Sequence, residues 1–339
     1  MNTLERFTRW KLVLLAIAMT AAWHLASPSS LGSKERELWE KVRSAQTHLA
    51  AWREETGRAS PPGADPWGCG LIGVEWSGAT TTLGDLGAKR TACNPAWAVQ
   101  FLRWFDELGL EPGDRVVMYS SASFPAMLLN AAAAAEQMQL DVFLVVSLGA
   151  STWGANQPGA TWPELAGVLR RAGYLQKRAD FYTLGGEAET GIGMAPEGRA
   201  VLIRAAERAG VGLLQADGLA AMVRLKAELL RERAPAVLVS IGGSHANLGE
   251  DPAVLELPPG LLGGDSAAAA GTGVIAYALG QDIPVIHVLN LKRMAAEHGI
   301  AWDSQPRRQG PSAVRAGWSL AGLLLFFIVV LTHRRWRLV

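Results

Sequence analysis

The sequence predicts an α/β protein with a mostly parallel sheet and helices on both faces, flanked by N- and C-terminal transmembrane helices. Three observations carry that expectation. Short apolar runs alternate with amphipathic segments from residue 71 to residue 289. Several of those segments open on helix-start chemistry. Uncharged apolar runs stand near both ends, at 12–26 and 316–332.

The runs at the ends read as spans. "LVLLAIAMTAAWHLA" (12–26) follows Arg6, Arg9 and Lys11, with Trp10 and Trp23 beside it; it reads as an uncleaved signal anchor, the alternative being a signal peptide cut near "TAA" at 20–22. "AGWSLAGLLLFFIVVLT" (316–332) is followed by Arg334, Arg335 and Arg337. Its 17 residues would reach roughly 25 Å as a helix, near the lower limit for crossing a bilayer. The flanking basic residues place 1–11 and the tail 333–339 in the cytoplasm and 27–315 outside the cytoplasmic (inner) membrane. Cys69 and Cys93 both fall in that outer segment, where a disulfide is permitted and two free thiols remain the alternative.

Within 27–315 a linker, "SPSSLGS", precedes a helix over 34–55 that Ser33 caps. Its apolar residues Leu38, Val42, Ala45, Leu49 and Trp52 form a narrow seam. "GRASPPGADPWG" (57–68) breaks it. Strands are then expected at 71–76, 115–119, 141–147, 179–184, 211–214, 236–241 and 284–289. Helices are expected at 95–108, 125–138, 162–172, 196–209, 218–233 and 266–279. Asn94-Pro95, Pro196 and the capping box Thr161-Trp162-Pro163-Glu164 mark starts among them.

Ligands of open α/β sheets sit at the carboxyl ends of the strands, so the loops that follow four strands are the candidates. "SGATTTLGDLGAKR" offers Thr80, Thr81, Thr82, Lys89 and Arg90. "SSASFP" offers Ser121 and Ser123 at a strand-to-helix junction, without the glycines of a nucleophile elbow. "LGASTWGANQP" offers Ser151 and Asn156. "GGSHANLG" offers Gly242, Gly243, Ser244, His245 and Asn247. His245 is the candidate base for a serine, and Glu75, with Asp85 in the following loop, an orienting carboxylate or a general base. All four loops are expected to converge on one cleft. There is no Walker A loop, dinucleotide fingerprint or His/Asp metal cluster, so no cofactor and no metal are expected. The formal net charge of +1 gives no reason to expect nucleic acid.

"GVEWSGATTTLGDLGAKRTACNP" (73–95), "SFPA" (123–126), "SLGASTWGANQPGATW" (147–162), "MAPEGR" (194–199) and "SIGGSHANLG" (240–249) resemble the poly-gamma-glutamate system protein family. Members of that family stand beside the ligase and export components for the γ-linked glutamate polymer. The resemblance implies a pathway and no particular reaction. It makes the polymer or its precursor, and other membrane subunits of a synthesis or export complex, the expected partners. Three functions follow as expectations: a membrane-anchored accessory protein that binds the anionic polymer or partner subunits; an extracytoplasmic Ser/Thr hydrolase or transferase that trims, releases or attaches the polymer; and a pure membrane scaffold.

Overall fold

The structure is a computed structural model. It describes residues 31–311, helical residues 10, 13–15, 17–19 and 21, and 322–328. The spans expected at 12–26 and 316–332 lie largely outside these residues, as do the tails. Among the described residues no helix is long and apolar enough to cross a membrane.

An α/β architecture with a mostly parallel sheet emerges as expected. The strands are β1 (Thr80–Thr82), β2 (Arg115–Ser121), β3 (Asp141–Ser147), β4 (Ala150–Ser151), β5 (Phe181–Thr183), β6 (Gly212–Leu213), β7 (Val237–Ile241), β8 (Gly260–Leu262) and β9 (Val285–Val288). The main sheet has the order β6-β5-β3-β2-β7-β9-β8, and only its edge strand β8 runs antiparallel. β1 and β4 form a separate parallel pair.

The core strands sort their side chains by alternation. Val116, Met118, Leu144 and Val146 face one hydrophobic layer. It is completed by α1 (Ser33–Glu55), α3 (Ala96–Glu107) and α4 (Pro125–Gln137), which follow the short α2 (Leu86–Ala92) in chain order or bracket it. Val117, Tyr119, Phe143 and Val145 face the other layer. After α5 (Trp162–Arg171) and α6 (Pro196–Ala209), that side receives α7 (Leu219–Arg233). Beyond α8 (His245–Leu248) it also receives α9 (Val274–Gly280), and α10 (Leu291–Glu297) closes the series. α5 begins on the expected capping box, with the Glu164 carboxylate accepting from the Thr161 N–H at 2.9 Å.

Three expectations need correction. Residues 71–76 are not a strand. Their backbone is satisfied by side chains from elsewhere: Arg53 donates to the carbonyls of Gly70 and Ile72, and Asn156 bonds both the N–H and the C=O of Val74. The helix expected over 266–279 is broken into a 3₁₀ segment, Gly264–Ala269, and α9. Gly271 between them has φ +73°, a conformation open to glycine at little cost and foreign to a helix. The first helix is capped by Gly32, not Ser33, which is its first residue.

Cys69 and Cys93 are joined in a disulfide, their Cα atoms 6.0 Å apart. The bond ties the chain before β1 to the C-terminal end of α2.

Candidate functional site

A cavity of about 630 Å³ opens at the carboxyl edge of the sheet. All four loops expected to converge contribute to its wall: Thr81, Thr82 and Lys89; Ser121 and Ser123; Ser151; and Gly243, Ser244 and His245. A fifth segment joins them from the loop after β5, through Gly186, Glu187, Ile192 and Gly193.

The run of three threonines is β1. Alternation divides the run. Thr80 is buried and its hydroxyl accepts from the Asn156 amide at 2.9 Å, whereas Thr81 and Thr82 reach the cavity. Thr152 of the β4 loop clamps the next turn: its hydroxyl accepts from the Gly84 N–H at 2.6 Å and donates to the Gly84 carbonyl at 2.9 Å. A Cβ at Gly84 would lie 2.7 Å from Ser151 Oγ, so this glycine is what allows the backbone to lie against that hydroxyl.

Lys89 and Arg90, expected as a paired patch of positive charge, separate. They lie on α2, where successive side chains point roughly 100° apart. Arg90 turns away from the cavity to the carbonyls of Gly63 and Ala64 and to Asp303, 3.2 Å distant. Lys89 turns inward and is 3% exposed. Its Nζ bonds the Ser123 carbonyl, lies 2.8 Å from Ser151 Oγ, and stands 3.7 Å from the centre of the Phe124 ring. It takes part in none of the ion pairs among the described residues. Burial strips water from the ammonium with no carboxylate in contact to replace it, and its pKa falls to about 7 against the weaker pull of Asp85.

The serines form a chain. Ser121 Oγ donates to Ser123 Oγ at 2.9 Å, and Ser123 Oγ accepts from the Ser151 N–H at 2.9 Å. His245 is fixed by a single contact, with its Nδ1 accepting from the Ala188 N–H at 3.1 Å. His245 lines the cavity wall, and this contact leaves Nε2 as the ring nitrogen without a protein partner among the described residues.

The remaining candidates support the site or stand apart. Gly242 has φ +78° and packs against Ser121. Asn156 is buried behind β1, and Glu75 is exposed outside the cavity wall. Asn247 is buried too, accepting from Lys226 at 3.0 Å.

Lys226 and Glu189 were not legible as site residues. Their contact, 2.7 Å, is a fully buried ion pair behind the cavity wall. Burial alone would raise the Glu189 carboxyl. The Lys226 ammonium outweighs this and, with hydrogen bonds from Lys226, Ser244 and Thr183, holds it below the usual carboxylate range. The Ala246 N–H donates to it as well. Burial also draws Lys226 downward against the pull of Glu189; with four donors converging on the carboxylate, the pair is ionised. The network ties the loop after β5 to "GSHAN". A signal existed: Glu189 follows a strand in a glycine-rich loop, and Lys226 interrupts an apolar stripe four residues from both Met222 and Leu230.

Among the described residues no group of His, Cys, Asp and Glu is placed to hold a metal ion. Comparison with family models, with curated proteins and with solved structures found no match.

Proposed function

We propose that this chain is a membrane-anchored accessory component of a poly-γ-glutamate synthesis or export system, and that the cavity at the sheet edge holds a segment of the γ-glutamyl chain outside the cytoplasm. The observation that carries the reading is the cavity itself. Its wall gathers the hydroxyl residues Thr81, Thr82, Ser121, Ser123 and Ser151, the imidazole of His245 and Lys89 around about 630 Å³. Such a volume suits a short chain segment, and a polymer with a carboxylate on every residue needs donors of this kind. The stretches 73–95, 147–162 and 240–249 that carry the resemblance are the ones that meet there. The disulfide between Cys69 and Cys93 supports an oxidising compartment. The apolar runs at 12–26 and 316–332 are the basis for the anchor.

The cavity wall holds one lysine and one acidic residue, Lys89 and Glu187. Recognition then rests on neutral donors more than on net charge, and binding should weaken little with salt. The test is titration of the full chain, in mild detergent, with a fluorescent oligo-γ-glutamate at low and high salt. Thr81→Val with Thr82→Val should weaken binding about tenfold or more, because a hydrogen bond to a charged group contributes ~1.5–3 kcal/mol. Folded wild-type protein that fails to bind, or a folded double variant that binds equally well, would sink the reading.

A further inference from the structure

We infer that Ser151 and Lys89 form a nucleophile–base pair, and that the cavity carries out acyl transfer on an amide or ester carbonyl. This goes beyond the binding role and does not rest on the identity of the polymer.

The assignment follows from elimination within the wall. A serine nucleophile needs a base in hydrogen-bond contact with its hydroxyl. Ser121 and Ser123 bond each other, and Ser123 Oγ also accepts a backbone N–H. The His245 ring bonds the Ala188 N–H, and no hydrogen bond joins it to a serine of the wall among the described residues. Ser244 Oγ bonds Glu189, but that carboxylate is held in its ion pair with Lys226; among the described residues lining the cavity, the contact that remains between a hydroxyl and a titratable base outside an ion pair is Ser151 Oγ to Lys89 Nζ, 2.8 Å. Each partner is held by separate structure. Ser151 lies on β4, paired to β1 at Thr82. Lys89 rides on α2, whose N-terminus is capped by Asp85 accepting from the Ala88 N–H.

The environment of the amine suits this work in both protonation states. As a neutral amine, Lys89 has two N–H groups and a lone pair. One N–H meets the Ser123 carbonyl, the face of Phe124 lies beside the other, and the lone pair is free to accept from the Ser151 hydroxyl. As an ammonium it donates to the Ser123 carbonyl and to Ser151 Oγ and lies over the ring face, which attracts a cation. The absence of a contacting carboxylate is what frees the proton near neutral pH, the condition a general base requires.

Lys89 takes the proton of Ser151, whose oxygen attacks the carbonyl carbon. His245 lines the same wall, from which an imidazole N–H would donate to the carbonyl oxygen as it gains charge. The bond from carbon to the leaving nitrogen or oxygen breaks, and the Lys89 ammonium returns the proton to the leaving group. Ser151 is left as an ester. Water, or an incoming amine, attacks that ester with Lys89 again accepting the proton, and Ser151 recovers its hydrogen. Water as acceptor gives hydrolysis, and an amine gives transfer. An anionic chain with repeating amide carbonyls is one class of donor that the cavity would accept.

The test uses p-nitrophenyl acetate on the full chain in mild detergent, with peptide mapping to locate the acetyl group. An acetyl ester on Ser151 is expected. Its rate of formation should rise with pH, reach half its plateau near pH 7 and level off above, because only the neutral amine accepts the proton. Ser151→Ala should abolish labelling at this peptide, and Lys89→Met should slow it by roughly 10²-fold or more. If Lys89→Met fails to fold, the wild-type pH profile decides alone. Labelling of Ser123 in place of Ser151, absence of a serine ester on folded protein at any pH, or a Ser151 rate indifferent to pH between about 6 and 8 would each overturn the inference. Failure of polymer binding with Ser151 still acetylated would sink the binding role and leave this one standing.

Discussion

Replacing Lys89 with methionine should flatten the pH dependence of stability between about pH 6.5 and pH 9.5. The folded chain holds this ammonium at a pKa of about 7, whereas an unfolded chain holds it near ~10.4. Between those values the unfolded state binds a proton that the folded state lacks. Stability therefore rises with pH across the window and is lost as pH falls toward 7. From about pH 9.5 down to about pH 6.5 the loss comes to ~3 kcal/mol, at ~1.4 kcal/mol per tenfold difference in proton affinity. Methionine keeps the stem's packing and removes the titration. It also leaves the Ser123 carbonyl and the Ser151 hydroxyl without their partner, which costs ~1–3 kcal/mol for each group left unsatisfied. At neutral pH the relief of the buried charge and the orphaned groups oppose each other, so the absolute change is small. The slope is the decisive quantity, because every other titrating group is common to both proteins. Urea unfolding of wild type and Lys89→Met, followed by tryptophan fluorescence at the two pH values, measures it. Parallel stability curves across the window would refute the reasoning: they would mean that Lys89 is solvated or paired in the folded protein.

Three further outcomes are expected. Glu189→Gln should destabilise by ~3–5 kcal/mol by leaving the Lys226 ammonium buried without its partner, while Glu189→Gln combined with Lys226→Met should recover most of that; chemical denaturation of both variants checks it, and a single variant within ~1 kcal/mol of wild type would contradict an ionised pair. His287 is 1% exposed, neither ring nitrogen has a hydrogen-bond partner among the described residues, and burial lowers its pKa to about 4. Its contribution to stability is present above ~6.5 and lost as pH falls through 4, so His287→Leu should gain ~3 kcal/mol on wild type between about pH 7 and pH 4, read from unfolding midpoints at the two pH values. Cys69→Ser with Cys93→Ser should cost ~3 kcal/mol, the entropy released by opening a loop of 24 residues, and reduction of the wild type should lower its unfolding temperature by the same route.

The parts of this fold legible in the sequence are those whose backbone is satisfied locally or by a neighbouring strand of the same kind. β3 and α6 fall on their expected bounds, 141–147 and 196–209, because an unbroken apolar run and a proline-initiated amphipathic segment each encode a self-contained pattern. Residues 71–76 carry the same apolar signal, but Arg53 and Asn156 occupy their backbone groups. No periodicity within "LIGVEW" records two side chains placed 18 or more positions away. Convergence of the loops after β2, β3 and β7 was legible because a parallel sheet puts its strand ends on one edge; the threonine loop reaches the same cavity by another route, through the separate pairing of β1 with β4. The division of labour inside the site was not. Arg90 and Lys89 look alike as neighbours in a line and diverge once a helix turns them. His245 reads in the sequence as a histidine in a polar loop, and nothing there records that the Ala188 N–H takes its Nδ1. Whether a titratable residue is a donor, a base or a strut is decided by what its polar atom touches, and those contacts are long-range.

The two buried lysines make the same point about chemistry. Lys89 and Lys226 are 3% and 1% exposed, and each carries a desolvation penalty that would neutralise it if nothing intervened. Lys226 meets a carboxylate fixed by hydroxyl and backbone donors, so it stays charged, and releasing its proton would break the pair that joins two loops of the cavity wall. Its role is to hold geometry. Lys89 meets a carbonyl, a hydroxyl and an aromatic face, none of which carries a negative charge. Its proton is therefore held weakly, near the pH at which the protein would work, and beside a hydroxyl that opens onto the cavity. Moving the carboxylate would exchange the roles. A Ser151→Asp substitution would place an anion against Lys89, raise its pKa well above neutrality, and turn a titrating site into a second strut; the pH dependence of stability described above would then shift toward alkaline values along with it. An alkaline shift seen by pH-resolved unfolding of Ser151→Asp would tie the depressed pKa to the missing partner, and an unshifted curve would place its origin elsewhere.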